Sequence, residues 1–295
     1  GRAALRYNTT GKWNSAVGFA ALFCNSSGCQ NTASGAYALY GNTTANINTA
    51  FGEASMKCNT TGACNVAVGG SALYCNTTAS RNTAIGMNTL FSNTTGSDLV
   101  GVGFKALCKN TCGKLNTASG AYSMLNNTTG GCNTGYGYGS LHNNTTGGQN
   151  VAHGACALFA NTTGGSSVAI GTKAGFNNTT ATVVAVGTAA LCGNTTGFRN
   201  AAVGHAALKT TSTGGRNAGF GTKSLYKNTT GNNNTASGTY SLYCNTTGSL
   251  NTASGYGALL SNTTASCNTA VGGCSLYSNT TGASLVAVGY NALKS

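Results

Sequence analysis

The 17-residue period of this chain constrains its fold more than any other feature. Copies begin at Asn14, Asn31, Asn48, Asn65, Asn82, Leu99, Asn116, Asn133, Asn150, Ser167, Val183, Asn200, Asn217, Asn234, Asn251, Asn268 and Leu285. Every interval is 17 except the 16 from Ser167 to Val183, and a partial copy, Gly1 to Trp13, comes first. The array accounts for all 295 residues, so the reading is one repeat domain over 1–295 with no linker and no separate caps.

Aligned in columns from Asn14 as position one, the copies separate fixed positions from free ones. Position five is Gly in all 18 copies that contain it, and position three is always Ala or Gly. Position eight is always small, and position nine is Leu in 15 of 18 copies, the exceptions being Met56, Met124 and Gly175. Asn, two hydroxyl residues and Gly or Ala follow at positions twelve to fifteen. Positions six, seven, ten, eleven, sixteen and seventeen read as free.

A helical solenoid needs about 30 or more residues per unit, and a fixed interior Gly opposes helix. Seventeen residues suit two short strands and two turns. The pattern therefore predicts an all-β fold, a single parallel β-solenoid (β-roll or β-helix) of about 17 coils stacked at roughly 4.8 Å, on the order of 80 Å long. Its thin Leu/Ala/Gly interior would be lined by one ladder: Leu22, Leu39, Leu73, Leu90, Leu107, Leu141, Leu158, Leu191, Leu208, Leu225, Leu242, Leu259 and Leu276. The absence of Pro fits a backbone whose N–H groups serve as ladder donors. In the short Ser167 copy Gly175 replaces Leu, which makes Phe176 the candidate to turn inward and predicts a local kink or altered turn.

Two copies, "NVAVGGSALYCNTTAS" (65–80) and "NTAIGMNTLFSNTTGS" (82–97), resemble tandem repeats of bacterial surface proteins and of phage or viral fibres. The "VAVG" and "VAIG" cores (Val66–Gly69, Val168–Gly171) also resemble the head repeats of YadA-like trimeric adhesins, although the copies here are longer. That resemblance implies a parallel β-roll, a surface location and binding to extracellular matrix or other cells.

The "NTT" turns carry an N-x-S/T sequon in 15 of 17 cases: Asn8, Asn25, Asn42, Asn59, Asn76, Asn93, Asn127, Asn144, Asn161, Asn178, Asn194, Asn228, Asn245, Asn262 and Asn279. Asn110 sits in "NTC", and Thr211 replaces Asn in "TTSTGG". Two roles are open: a stacked amide ladder through the turns, or glycosylation, which requires the side chains to point outward. Thirteen cysteines favour an oxidising compartment, and the odd number leaves at least one without an intrachain partner. Turns such as "CNSSGC", "CNTTGAC" and "CKNTC" make Cys24 with Cys29, Cys58 with Cys64, and Cys108 with Cys112 candidate disulfide clasps. Cys75, Cys244 and Cys267 are further candidates, and Cys58 with Cys75 could instead bridge stacked coils.

Catalysis is hard to build from two carboxylates, Glu53 and Asp98, about three coils apart, and from His142, His153 and His205 in different columns. No enzyme, cofactor or metal is expected. The net charge of +13 raises nucleic acid as a partner, but the cations fall in several columns rather than one stripe, which argues against a specific nucleic-acid surface. No apolar run is long enough to span a membrane. Gly1 in place of Met points to a processed product or an excised piece, and neither end carries a capping segment. Open ends of a repeat rod pair with further copies unless they are fragment boundaries. The resulting expectation is an extracellular or cell- or virion-surface structural protein, assembled head to tail into a filament. An adhesin head or fibre shaft that binds a receptor, glycan or host cell is the main alternative, with Tyr37, Tyr122 and Tyr240 as contacts. An ice-binding solenoid presenting one Thr rank is the second.

Overall fold

A computed structural model describes residues 1–294, and among these every regular element is a β-strand. The chain is an all-β parallel β-solenoid with the 17-residue spacing read from the sequence. Its contacts cluster into two compact units, Gly1–Gln149 and Asn150–Ser295. The first unit holds β1 (Ser15–Val17), β2 (Thr32–Ser34), β3 (Thr49–Phe51), β4 (Val66–Val68), β5 (Thr83–Ile85), β6 (Val100–Val102), β7 (Thr117–Ser119) and β8 (Thr134–Tyr136). The second holds β9 (Val151–His153), β10 (Val168–Ile170), β11 (Val183–Val186), β12 (Asn200–Val203), β13 (Ala218–Phe220), β14 (Thr235–Ser237), β15 (Thr252–Ser254), β16 (Thr269–Val271) and β17 (Val286–Val288).

Within each unit successive strands pair in parallel and in register, so like positions stack: Thr49 on Val66, Ala50 on Ala67, Phe51 on Val68. Each coil contributes one strand, at positions two to four, and the rest of the coil is turns. The middle residue of the strand points inward, as Ala50, Ala67 and Ala84 do, fully buried.

The turns explain the fixed glycine. Position five takes φ near +130°, as at Gly52 (124°) and Gly69 (131°), a region essentially reserved for Gly. A Cβ on Gly52 would also stand 2.7 Å from the Gly69 carbonyl. Positions seven, nine and seventeen lie in the left-handed region as well, for example Tyr37 (58°), Leu39 (51°) and Ile47 (59°). A β-branched residue is a genuine outlier there, and Ile47 is the one that occurs at these three positions. That is why position nine accepts Leu, Met or Gly but never Val or Ile, and why position seven, read as free, contains no Val, Ile or Thr.

The interior is thin but not purely apolar. Leu22, Leu39, Leu73 and their successors stack as one buried ladder beside the Ala columns. The side chains of Asn31, Asn48, Asn65 (position one) and Asn25, Asn42, Asn59 (position twelve) are equally buried. Two amide columns therefore share the core with Leu, where the sequence pattern suggested only Leu, Ala and Gly.

The short copy departs from expectation. Phe176 does not turn inward: it stays outside and stacks on Phe159 with ring centroids 5.2 Å apart. Gly175 keeps the left-handed turn (φ 58°), and the Leu158 side chain leans towards the space the missing Leu leaves. The deleted residue is the one at position seventeen, because Arg199 N–H bonds the Thr182 carbonyl at 3.0 Å, as position seventeen bonds position sixteen elsewhere. Sheet register survives, with Ala169 on Ala185.

Candidate functional site

The position-twelve asparagines build a hydrogen-bonded rail within each unit, interrupted in the second at Thr211. Asn25 Nδ2 donates to Asn8 Oδ1 at 2.7 Å and to the Gly28 carbonyl at 2.9 Å. Asn42, Asn59 and Asn76 repeat both bonds one coil further on, and Asn110 of the "NTC" turn does the same. In the second unit Asn194, Asn245 and Asn262 follow suit. An amide nitrogen has two N–H groups, and here both are committed in a buried site. The carbonyl at position fifteen demands a donor, which fixes the amide orientation. An N-glycan replaces one of those hydrogens, so a folded rung has neither the free N–H nor the space for it.

Position one forms a second rail that the column reading treated only as a repeat start. Asn31 N–H bonds Asn14 Oδ1 at 2.9 Å, Asn48 N–H bonds Asn31 Oδ1 at 3.0 Å, and Asn31 Nδ2 reaches the Ala45 carbonyl at 2.8 Å. Asn recurs here in 13 of the 17 copies, which was the available signal. Ser167 fills the same role with its hydroxyl, donating to the Ala181 carbonyl and accepting from Val183 N–H.

The hydroxyl pair after Asn divides its work. The N–H groups of Ser26, Ser27 and Gly28 all converge on the Thr43 carbonyl of the next coil, joined by Ser26 Oγ at 3.1 Å, a concave nest of donors. The second hydroxyl, such as Ser27, Thr44 or Thr61, is exposed and forms an outward rank.

The thirteen cysteines are free thiols. The clasps expected at Cys24–Cys29, Cys58–Cys64 and Cys108–Cys112 are not formed. Cys29 Sγ instead accepts Lys12 N–H and faces the Ser27 carbonyl, both at 3.3 Å. Cys24, Cys75, Cys108 and Cys192 are half-buried, and desolvation raises their thiol pKa above the ordinary value. Cys244 is half-buried too, whereas Cys64, Cys112 and Cys267 are exposed.

Glu53 is exposed, and Asp98 forms a two-pronged ion pair with Arg81, Oδ1 to Nε at 2.6 Å and Oδ2 to Nη2 at 2.9 Å. His142 Nδ1 meets Asn143 Oδ1 at 2.9 Å, while His153 and His205 are exposed. Among the described residues no group of three His, Cys, Asp or Glu side chains is arranged to hold a metal, and no helix is long and apolar enough to cross a membrane.

Two outer faces remain. The outward residues of the strands, positions two and four, include no Asp, Glu, Lys or Arg in any copy and expose Val66, Val68, Ile85 and Phe51 in the first unit. The other face gathers positions six, seven, ten and eleven, which hold ten of the 15 Lys and Arg residues and 18 of the 23 aromatic residues. The turns carry position seven beside position ten: Tyr37 meets Tyr40 at 5.8 Å and Tyr240 meets Tyr243 at 5.6 Å. Position-ten rings stack along the coil axis, Phe23 on Tyr40 at 5.0 Å and Tyr226 on Tyr243 at 5.1 Å. Tyr122, the third predicted contact residue, sits edge-on to Phe104. Within each unit, cations counted as scattered in the sequence therefore share a face with most of the rings. No protein-family model, curated protein or solved structure matches the chain.

Proposed function

We propose that this chain is a non-enzymatic structural protein whose molecules stack coil on coil into a filament displayed outside the cell or on a particle surface. The observation that carries this reading is the sameness of the coil-to-coil interface. Within each unit most rungs offer their neighbour the same strand edge, the same two amide rails, the same Leu and a nest of turn N–H donors. An open coil edge thus has a ready partner in any open edge of opposite sense, and such heterologous contacts propagate instead of closing. The charge-free strand face adds a surface for lateral packing of neighbouring filaments.

Electron microscopy and fibre diffraction on concentrated protein test the reading. Filaments with a meridional repeat of about 4.8 Å are the expected result; protein that stays monomeric at every concentration overturns it. A second reading, an adhesive head or shaft, draws support from the cation–aromatic face.

A further inference from the structure

We infer that the cation–aromatic face binds a linear acidic polysaccharide, a polyuronate chain lying along the coil axis. In the first unit this face opens into a cleft of about 420 Å3. Phe19, Phe23, Tyr37 and Tyr40 line it together with the Arg2 and Arg6 side chains. Ala3 and Ala20, small at position seven where other copies carry Tyr or Lys, leave room for it. Further along, Lys57 sits 5.2 Å from the Tyr37 ring and 5.5 Å from the Tyr74 ring, and Tyr74 stacks on Phe91. The second unit repeats the arrangement with Lys223 between Tyr226 (5.8 Å) and Tyr240 (5.7 Å), and with Lys209 over Tyr226.

Charge selects the ligand's sign. Glu53 is the one carboxylate at these four positions, and Asp98, the other acid of the chain, lies at position seventeen bound to Arg81. The groove therefore faces a partner with unneutralised guanidinium and ammonium groups, and guanidinium forks pair well with carboxylates.

Ring orientation selects the class of polymer. Bases stack on open ring faces, but the position-ten rings lie against one another, 7° from parallel for Phe23 and Tyr40, so those faces are already covered. Tyr40 and Tyr74 instead bring hydroxyl groups to this face beside the cations, and a phenolic hydroxyl both donates to and accepts from the hydroxyl groups of a sugar chain, which polyglutamate lacks.

Titration calorimetry of the full chain with oligogalacturonate tests the inference, beside three comparison polymers: neutral galactan, polyglutamate of equal charge, and oligothymidylate. Oligogalacturonate is expected to bind, with affinity falling as salt rises. The pair Arg6→Gln and Lys57→Gln should weaken it about tenfold or more, and Phe23→Leu with Tyr40→Leu should weaken it without altering its salt dependence. Lys12→Gln with Lys114→Gln, at position sixteen, should leave it unchanged. All these side chains lie at least partly open to solvent, and circular dichroism checks that each variant keeps its fold. Equal binding of polyglutamate or galactan, tighter binding of oligothymidylate, no binding of oligogalacturonate, or indifference to the groove substitutions overturns the proposal. None of these outcomes depends on whether the protein forms filaments.

Discussion

Thr211 is a gap in the position-twelve rail, and closing it should stabilise the second unit. Its hydroxyl is fully buried and has no hydrogen-bond partner. On one side of the gap, Asn194 Oδ1 makes do with Asn200 Nδ2 at 3.3 Å. On the other, Asn228 Nδ2 keeps the Gly231 carbonyl at 3.0 Å, but no amide oxygen stands at position twelve of the preceding coil to receive its second N–H. Thr211→Asn restores the donor to Asn194, a donor to the Gly214 carbonyl and the acceptor for Asn228. Three buried hydrogen bonds at about 1 kcal/mol each, plus relief of an unpaired hydroxyl worth about 1–3 kcal/mol, oppose the loss of a buried methyl at about 0.8 kcal/mol and the ordering of a longer side chain. The expected net gain is about 2 kcal/mol, or roughly thirty-fold in the local opening equilibrium. Stacked repeats need not unfold in one step, so native-state hydrogen exchange is the assay of choice, read at the Thr195, Ser212 and Thr229 amides that tie these turns together. The reciprocal change, Asn59→Thr in an intact rail, should speed exchange by a similar factor. If Thr211→Asn exchanges no more slowly than the parent protein, the amide rail is not a source of stability and the reasoning fails.

Other expectations follow from the turns and the titratable groups. Leu90→Ile should lower the urea midpoint although volume is conserved, because a β-branched side chain must enter φ 53°, at a cost of about 1–3 kcal/mol; Leu90→Met, which matches Met56 and Met124, should be near neutral. Under limited alkylation at pH 8, mass spectrometry should find exposed Cys64, Cys112, Cys132 and Cys267 modified before Cys108 and Cys192, whose thiols burial holds above the ordinary pKa. The Asp98 carboxyl should titrate below the usual aspartate value, because it accepts hydrogen bonds from Arg81 and faces its charge. Its small contribution to stability is then complete above the unfolded-state pKa and disappears as pH falls through the lowered folded value; an NMR midpoint that Arg81→Gln leaves in place would contradict this.

Much of the fold was legible in the columns. A strict period, a column of Leu and a column of Gly specify a stacked coil, since parallel in-register pairing is the arrangement that puts every Leu on a Leu. The amide rails were half legible. The Asn at position twelve read as a turn residue in a stacked ladder, with a glycan site left open, because a sequon does not say which way its side chain points. The Asn at position one was passed over as a mere landmark of the repeat. Phe176 was misjudged because a vacant Leu site next to an aromatic residue invites a swap. The backbone does not permit it: Gly175 holds the left-handed turn, and Phe176 continues the outer stack begun by Phe159.

The sequence by itself determined the period, the parallel β-solenoid, the Leu ladder and the place of the shortened copy, since each is a property of spacing along the chain. Only the tertiary structure decided what lies inside and what shares a face. Left-handed residues at positions seven and nine fold the backbone into a path with neither helical nor strand periodicity. No fixed sequence spacing therefore shows that position seven stands beside position ten, or that Asn points inward. Those turns hide the Nδ2 groups that sequons would offer to a glycan, and within each unit they bring cations from several columns onto a face shared with aromatic rings.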